Sequence, residues 1–349
     1  MKKKISILII FFVVAFAIAL EAGRKEGDEY SLLHTTPLKL TIPKGWPKPA
    51  SDIFANNPLT EEGFQLGRKL FYDGRLSKDG NFACASCHQQ FAAFATYDHD
   101  LSHGFHDQFT TRNAPPLFNL AWSRLLHWDG GVNHIEVQAL SPMTAPNEMA
   151  ENIDSVLQKL RKDTSYQRMF ASAFGSKMMN SQRMLKALAQ FVGSLISSNS
   201  KYDKVKKGED KFNEAEQRGY ELFKQRCNTC HREPLFTDYS FRNNGLPLND
   251  FLKDYGRMRI TGNPMDSLKF KVPSLRNVSV TFPYMHDGRL YSLYDVIDHY
   301  SKGIQQSATL DSSLKKGIPF SEDEKNDIIY FLHTLKDTIF LNDKRFSQP

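Results

Sequence analysis

The chain is 349 residues long and has four cysteines, all of them in two copies of one five-residue pattern: Cys84-Ala85-Ser86-Cys87-His88 and Cys227-Asn228-Thr229-Cys230-His231. No other feature restricts the fold as strongly. Two thiols three residues apart can add to the two vinyl groups of one haem, and the adjacent histidine then turns under the ring to supply an axial nitrogen. A zinc site or a redox dithiol is the alternative, but zinc would want further Cys or His at ligand spacing, and no cysteine is left over. The pattern therefore predicts two covalently attached haem c groups. Cys84, Cys87 and His88 hold the first; Cys227, Cys230 and His231 hold the second.

The motifs sit inside a larger repeat. Gly67-x-x-Leu70-Phe71 precedes the first and Gly219-x-x-Leu222-Phe223 the second. Each is followed by an apolar stripe stepping by three and then four, Leu188, Phe191, Leu195 and Ile328, Phe331, Leu335, which is one face of a helix. Each half reads as helix, haem motif, long loop and closing helix, and so resembles the cytochrome c fold, in which the first and last helices cross over the haem edge. Asn213 with Glu216, Ser292 with Asp295 and Ser321 with Glu324 are spaced as helix N-terminal capping boxes. Few runs alternate with period two, so strand content should be low. The expected fold class is mainly α, with two cytochrome c-like domains carrying one haem c each. Asn199–Lys211 is polar, charged and helix-poor, and reads as the linker. The expected divisions are a signal over 1–20, an extended lead-in over 21–51, a first domain over 52–205 and a second over 206–349.

Lys2, Lys3 and Lys4 lead into Ile5–Leu20, where only Ser6 is polar, the layout of a secretory signal. Ala17-Ile18-Ala19 fits the small-x-small cleavage rule, and an uncleaved N-terminal anchor is the alternative. No cysteine follows the apolar run, so a lipid anchor is excluded, and the expected location is the periplasm. Without residues 1–20 the net charge of +6 falls to +3, too small a surplus for a nucleic-acid binder. With 40% hydrophobic and 24% charged residues, the chain is neither a multi-span membrane protein nor disordered.

Over residues 58–338 the chain resembles the bacterial di-haem cytochrome c peroxidase family, which includes the MauG-type enzymes. The landmarks of the first half are Leu66–Ser77 (LGRKLFYDGRLS), Cys84–His88, Ser102-His103-Gly104, Arg112-Asn113-Ala114-Pro115, Trp128-Asp129-Gly130, Gln138 and Glu148-Met149. Those of the second are Cys227–His231, Val272–Asn277 (VPSLRN) and Pro283–Gly288 (PYMHDG).

The resemblance implies that the first haem, with His88 as proximal ligand, is the peroxidatic site. Glu148 would be its acid–base residue, because O–O cleavage needs a group that takes a proton from one oxygen and returns it to the other. Gln138 would be its polar neighbour, and Trp128 would lie between the haems. His103 corresponds to a distal-side residue that in many relatives ligates the resting iron, with Gly104 allowing the backbone to move; His99 and His106 should face solvent. Asn113, with the carbonyls of Thr281 and Pro283, corresponds to a calcium site whose all-oxygen ligands suit that cation.

His231 is the proximal ligand of the second haem. Typical relatives use a methionine as its sixth ligand; here that position falls on Tyr300, as in MauG-type enzymes. A phenolate favours ferric and higher-valent iron and lowers the potential. Met285 and His299 are the alternatives, with Met258 and Met265 weaker.

The leading expectation is a periplasmic cytochrome c peroxidase that reduces hydrogen peroxide to water. Its electrons would come from a small soluble redox protein such as a cytochrome c or a cupredoxin. The alternatives are MauG-like oxidation of a partner protein through a high-valent state, and a non-catalytic electron-transfer cytochrome. Contact with a membrane is expected only through an N-terminal anchor, and a homodimer rests on analogy.

Overall fold

The computed structural model describes residues 35–50 and 52–349; the expected signal lies outside them. The described chain is mainly helical. In chain order the first half carries α1 (Glu61–Phe71), α2 (Cys84–Cys87), α3 (Ile135–Gln138), α4 (Leu140–Thr144), α5 (Ile153–Arg161), α6 (Thr164–Phe174) and α7 (Ser181–Gly193). The second half carries α8 (Lys201–Lys207), α9 (Glu214–Arg226), α10 (Met258–Thr261), α11 (Leu293–Asp298), α12 (Glu322–His333) and α13 (Thr338–Asn342). Among the described residues strands are confined to one antiparallel pair, β1 (Phe241–Arg242) and β2 (Phe270–Lys271), with Phe241 opposite Lys271.

Each half is organised by one helix crossing, and the two crossings are built alike. Helix α1 starts at Thr60, whose hydroxyl accepts from Gly63 N–H, and buries Phe64, Leu66, Leu70 and Phe71 against α7. A Cβ on Gly67 would lie 1.9 Å from the Ala187 carbonyl oxygen, so only glycine permits this approach. Helix α9 crosses α12 in the same way, where a Cβ on Gly219 would lie 1.9 Å from the Asp327 carbonyl oxygen. Phe71 meets Phe191 at a ring separation of 5.1 Å, and Phe223 meets Phe331 at the same distance. The internal repeat read from Gly67-x-x-Leu70-Phe71 and Gly219-x-x-Leu222-Phe223 is therefore a repeat of packing. The three capping boxes at Asn213, Ser292 and Ser321 are all formed.

Two elements differ from expectation. The stretch read as a linker contains α8, which opens on a capping box between Ser200 and Asp203. Tyr202 and Asp203 are buried, and Asp203 forms a two-bond ion pair with Arg276 at 2.8 Å through each oxygen. Its lysine-rich composition describes only the outer face of this helix. The second difference is that the chain's end returns to the first half. Phe340, Leu341 and Phe346 join the core of α1 and α7, and Arg68 and Tyr72 donate to the carbonyls of Ser347 and Phe346.

The halves meet along Arg112, which donates to Asp254 at 2.6 and 2.9 Å and to Asp129 at 2.6 Å. No helix among the described residues is long and apolar enough to cross a membrane.

Candidate functional site

Helix α2 is the first cysteine motif. His88 follows it with its N–H on the Cys84 carbonyl at 2.9 Å, and its ring Nδ1 lies 2.7 Å from the carbonyl oxygen of Phe94. That contact assigns the proton to Nδ1 and leaves Nε2 free as a ligand. Burial lowers the His88 pKa to about 4, keeping the ring neutral. The second motif continues directly from α9. Its His231 Nδ1 lies 3.2 Å from the carbonyl oxygens of both Phe236 and Pro273, the same arrangement. All four thiols are unpaired.

Each motif lines its own cavity, about 590 Å³ for Cys84, Cys87 and His88 and about 470 Å³ for Cys227, Cys230 and His231. Two thiols and one oriented imidazole on the wall of a largely apolar cavity is the donor set that haem c requires, so the residues fit the group at both places.

The first cavity also brings together Glu148, Gln138, His103 and Trp128. Glu148 is half-buried, and burial pushes its carboxyl above the ordinary carboxylate value. Its backbone carbonyl accepts from Phe105 N–H at 2.7 Å. A Cβ on Gly104 would lie 2.2 Å from the Asn147 carbonyl oxygen and 2.8 Å from Glu148 Cα. Glycine is needed at 104 for this close approach, which presses the His103 loop onto the Glu148 turn. His103 is exposed on the cavity wall, its ring 4.6 Å from that of Phe109, and His99 and His106 are exposed as expected. Sequence reasoning missed His127, which lines the same cavity with its Nε2 3.4 Å from Gln138 Nε2. A lone histidine ahead of a tryptophan gives no spacing signal.

Trp128 lines both cavities, together with Asn113 and residues 271–274. The indole thus stands in the partition. Glu148 and Gln138 line the first cavity only.

In the second cavity, Tyr300 and Met285 both line the wall. Tyr300 sits on the π-helical turn His299–Gly303 that follows α11. Burial pushes its hydroxyl up to about 12, opposed by a hydrogen bond from Asn244, whose amide also contacts Met285 Sδ at 3.4 Å. His299, offered as an alternative ligand, instead turns Nε2 to the Asn244 carbonyl at 3.0 Å and is not on the cavity wall. Met258 and Met265 are also off it, Met265 being exposed.

Asn113, Thr281 and Pro283 all line the second cavity, but the Asn113 amide nitrogen faces the carbonyls of His99 and Asp100 at 3.4 and 3.1 Å. Among the described residues no group of three or more His, Cys, Asp or Glu is placed to hold a metal ion.

Paired helix crossings and two cysteine–histidine cavities sharing one tryptophan define a two-centre redox protein of the c-type haem class. Residues 61–211 match the model of the family described as di-haem cytochrome c peroxidase. The chain is 38% identical over 288 residues to the methylamine utilization protein MauG of Methylorubrum extorquens, covering 80% of each chain. It is 32% identical over 302 residues to the cytochrome c551 peroxidase of Nitrosomonas europaea, covering 82% of this chain and 84% of that one. A solved MauG-like protein associated with microbial copper homeostasis superposes with a TM-score of 0.82 at 35% identity, covering 89% of this chain and 99% of that one. The chain belongs to the di-haem cytochrome c peroxidase family, and membership implies two haem c groups.

Proposed function

We propose that the chain is an exported enzyme that reduces hydrogen peroxide to water at the first of its two centres. Each half would be a cytochrome c-like domain, the second passing on electrons from a small soluble redox protein. The observation that carries this reading is the asymmetry of the cavities: Glu148 and Gln138 line one, and Trp128 lines both. A pair of equivalent electron-transfer centres has no use for a half-buried carboxylic acid at only one of them.

Two haems held by Cys84, Cys87 and His88 and by Cys227, Cys230 and His231 would supply electron storage and the redox chemistry of peroxide reduction. One peroxide takes up two electrons and two protons and yields two water molecules. Glu148 would take the proton from one peroxide oxygen and return it to the other, the leaving oxygen, so its carboxyl must hold and release a proton within the turnover. Gln138, held against His127, orients the peroxide. Trp128 spans the partition through which electrons from the second centre pass. Glu148→Gln tests the assignment: peroxide consumption should fall by about 10²–10⁴-fold with both haems still attached. Unchanged consumption in this variant rejects it.

Oxidation of a partner protein is the second reading. It is favoured by Tyr300 on the wall of the second cavity, where a tyrosinate ligand would lower that centre's potential and weaken it as an electron acceptor. Turnover of a reduced small cytochrome or cupredoxin by peroxide separates the two. The calcium ion expected at Asn113, Thr281 and Pro283 belongs to either reading, and loss of peroxide turnover on chelation, restored by calcium, would establish it.

A further inference from the structure

We propose that the Lys271 ammonium is the positive partner of a haem carboxylate and stands as a fixed cation between the two centres. The inference rests on the two haem groups that family membership implies and is independent of the reaction they serve.

Lys271 is fixed by its backbone at the end of β2, opposite Phe241, with its N–H donating to the Trp128 carbonyl at 2.7 Å. Lys271 is among the residues that line both cavities, within the run 271–274 common to the two. Its Nζ donates to the Leu125 carbonyl at 2.7 Å and lies 3.4 Å from Ser123 Oγ. Both partners are neutral, and an ammonium has three N–H groups, so one is left over.

The other described lysines and arginines on the cavity walls all have carboxylate partners. Arg112 has Asp254 and Asp129, Arg259 has Asp254, Arg226 has Glu324, and Arg242 has Asp238 and Asp311. Lys271 makes no ion pair among the described residues, although Asp129 attracts it from beyond contact distance. Burial depresses its pKa to about 8, as expected for a cation whose surroundings do not repay its lost hydration. A haem keeps two propionate carboxylates after both vinyl groups have bonded to cysteine, so the group entering each cavity brings the missing negative charge. One of these carboxylates would accept from the remaining N–H of Lys271. A positive charge shared by both walls also favours the reduced form of either centre.

A plainer role is a peg that ties the Ser123–Leu125 loop to β2, and three variants separate the two. Lys271→Arg keeps charge and donors, Lys271→Gln keeps a donor without charge, and Lys271→Met keeps neither. Midpoint potentials of the holoprotein are measured by spectroelectrochemical titration after confirming two haems per chain. Both neutral variants should lower the potentials, changing the reduced-to-oxidised ratio at fixed applied potential by about tenfold, which is about 59 mV for one electron. Lys271→Arg should stay near wild type. Wild-type potentials at both centres in Lys271→Gln would overturn the proposal and leave only the peg. Peroxide turnover is assayed separately: wild-type protein that is inactive towards peroxide while the potentials shift would reject the proposed function and leave this inference standing.

Discussion

The indole Nε1 of Trp128 donates to the backbone carbonyl of Asn113 at 2.9 Å, and both residues line both cavities. The bond fixes the ring plane in the partition, and the Lys271 N–H on the Trp128 carbonyl fixes its backbone. Trp128→Phe keeps an apolar aromatic ring but removes the donor, leaving the Asn113 carbonyl short of a partner. The expected cost is about 1 kcal/mol of stability, too little to unfold the protein. Peroxide turnover should fall by an order of magnitude or more while chemical reductants still reduce both centres. Steady-state kinetics beside a denaturant titration would show the split.

Glu148 gives the pH dependence of the proposed reaction. Burial raises its carboxyl above the ordinary carboxylate value, so the group stays protonated to a higher pH than an exposed glutamate. Only the ionised form accepts the proton from bound peroxide. The acid limb of kcat/KM should therefore lie above the ordinary carboxylate value, with activity lost as pH falls through it, and the limb should vanish from the residual activity of Glu148→Gln. An acid limb at the ordinary carboxylate value would detach Glu148 from the proton transfer.

The paired glycines set the geometry of each helix crossing. Alanine is favoured over glycine inside a helix by about 1 kcal/mol, so Gly→Ala should stabilise wherever there is room. At Gly67 and Gly219 the added carbon would meet a backbone carbonyl at 1.9 Å, and backbone cannot rotate away as a side chain can. Overpacking of this kind costs about 1–3 kcal/mol or more, which outweighs the propensity gain. Both Gly67→Ala and Gly219→Ala should lower the denaturant midpoint, by similar amounts if the crossings are equivalent. A rise in either midpoint would mean that the helices separate freely.

These crossings were legible in the sequence because their determinants are local: a glycine, a Leu-Phe pair three and four residues later, and capping residues three apart. The haem-binding residues were legible because attachment needs two thiols and an imidazole at fixed spacing. Helix α8 was not, because the residues that bury it, Tyr202 and Asp203, are matched by Arg276 more than seventy positions away, while its lysines face out. Phe340 and Phe346 sit in the first core through a return of the chain that no periodicity marks. His127 and Lys271 gain meaning only from the cavities they line, and those cavities are made by loops meeting across the two halves.

Asp254 makes that meeting depend on pH. Burial alone would raise its carboxyl, but the hydrogen bonds and charge of Arg112, with the Gly256 N–H, prevail and hold it below the ordinary carboxylate value. A depressed folded-state pKa contributes stability that is present above the unfolded value of about 3.9 and lost as pH falls through the folded pKa. Asp254→Asn removes one charge from a buried group and leaves Arg112 with Asp129 alone. At neutral pH the cost should be about 3 kcal/mol, the low end for a broken buried pair because one carboxylate remains. Below about pH 4 the difference between wild type and variant should shrink, since the unfolded aspartate takes up a proton there while the folded one keeps its charge until pH falls through its own, lower pKa. Urea midpoints at pH 7 and pH 3 test both statements. A difference that stays constant with pH would place the contribution of Asp254 in its shape and not its charge, and the two halves would then be joined by packing.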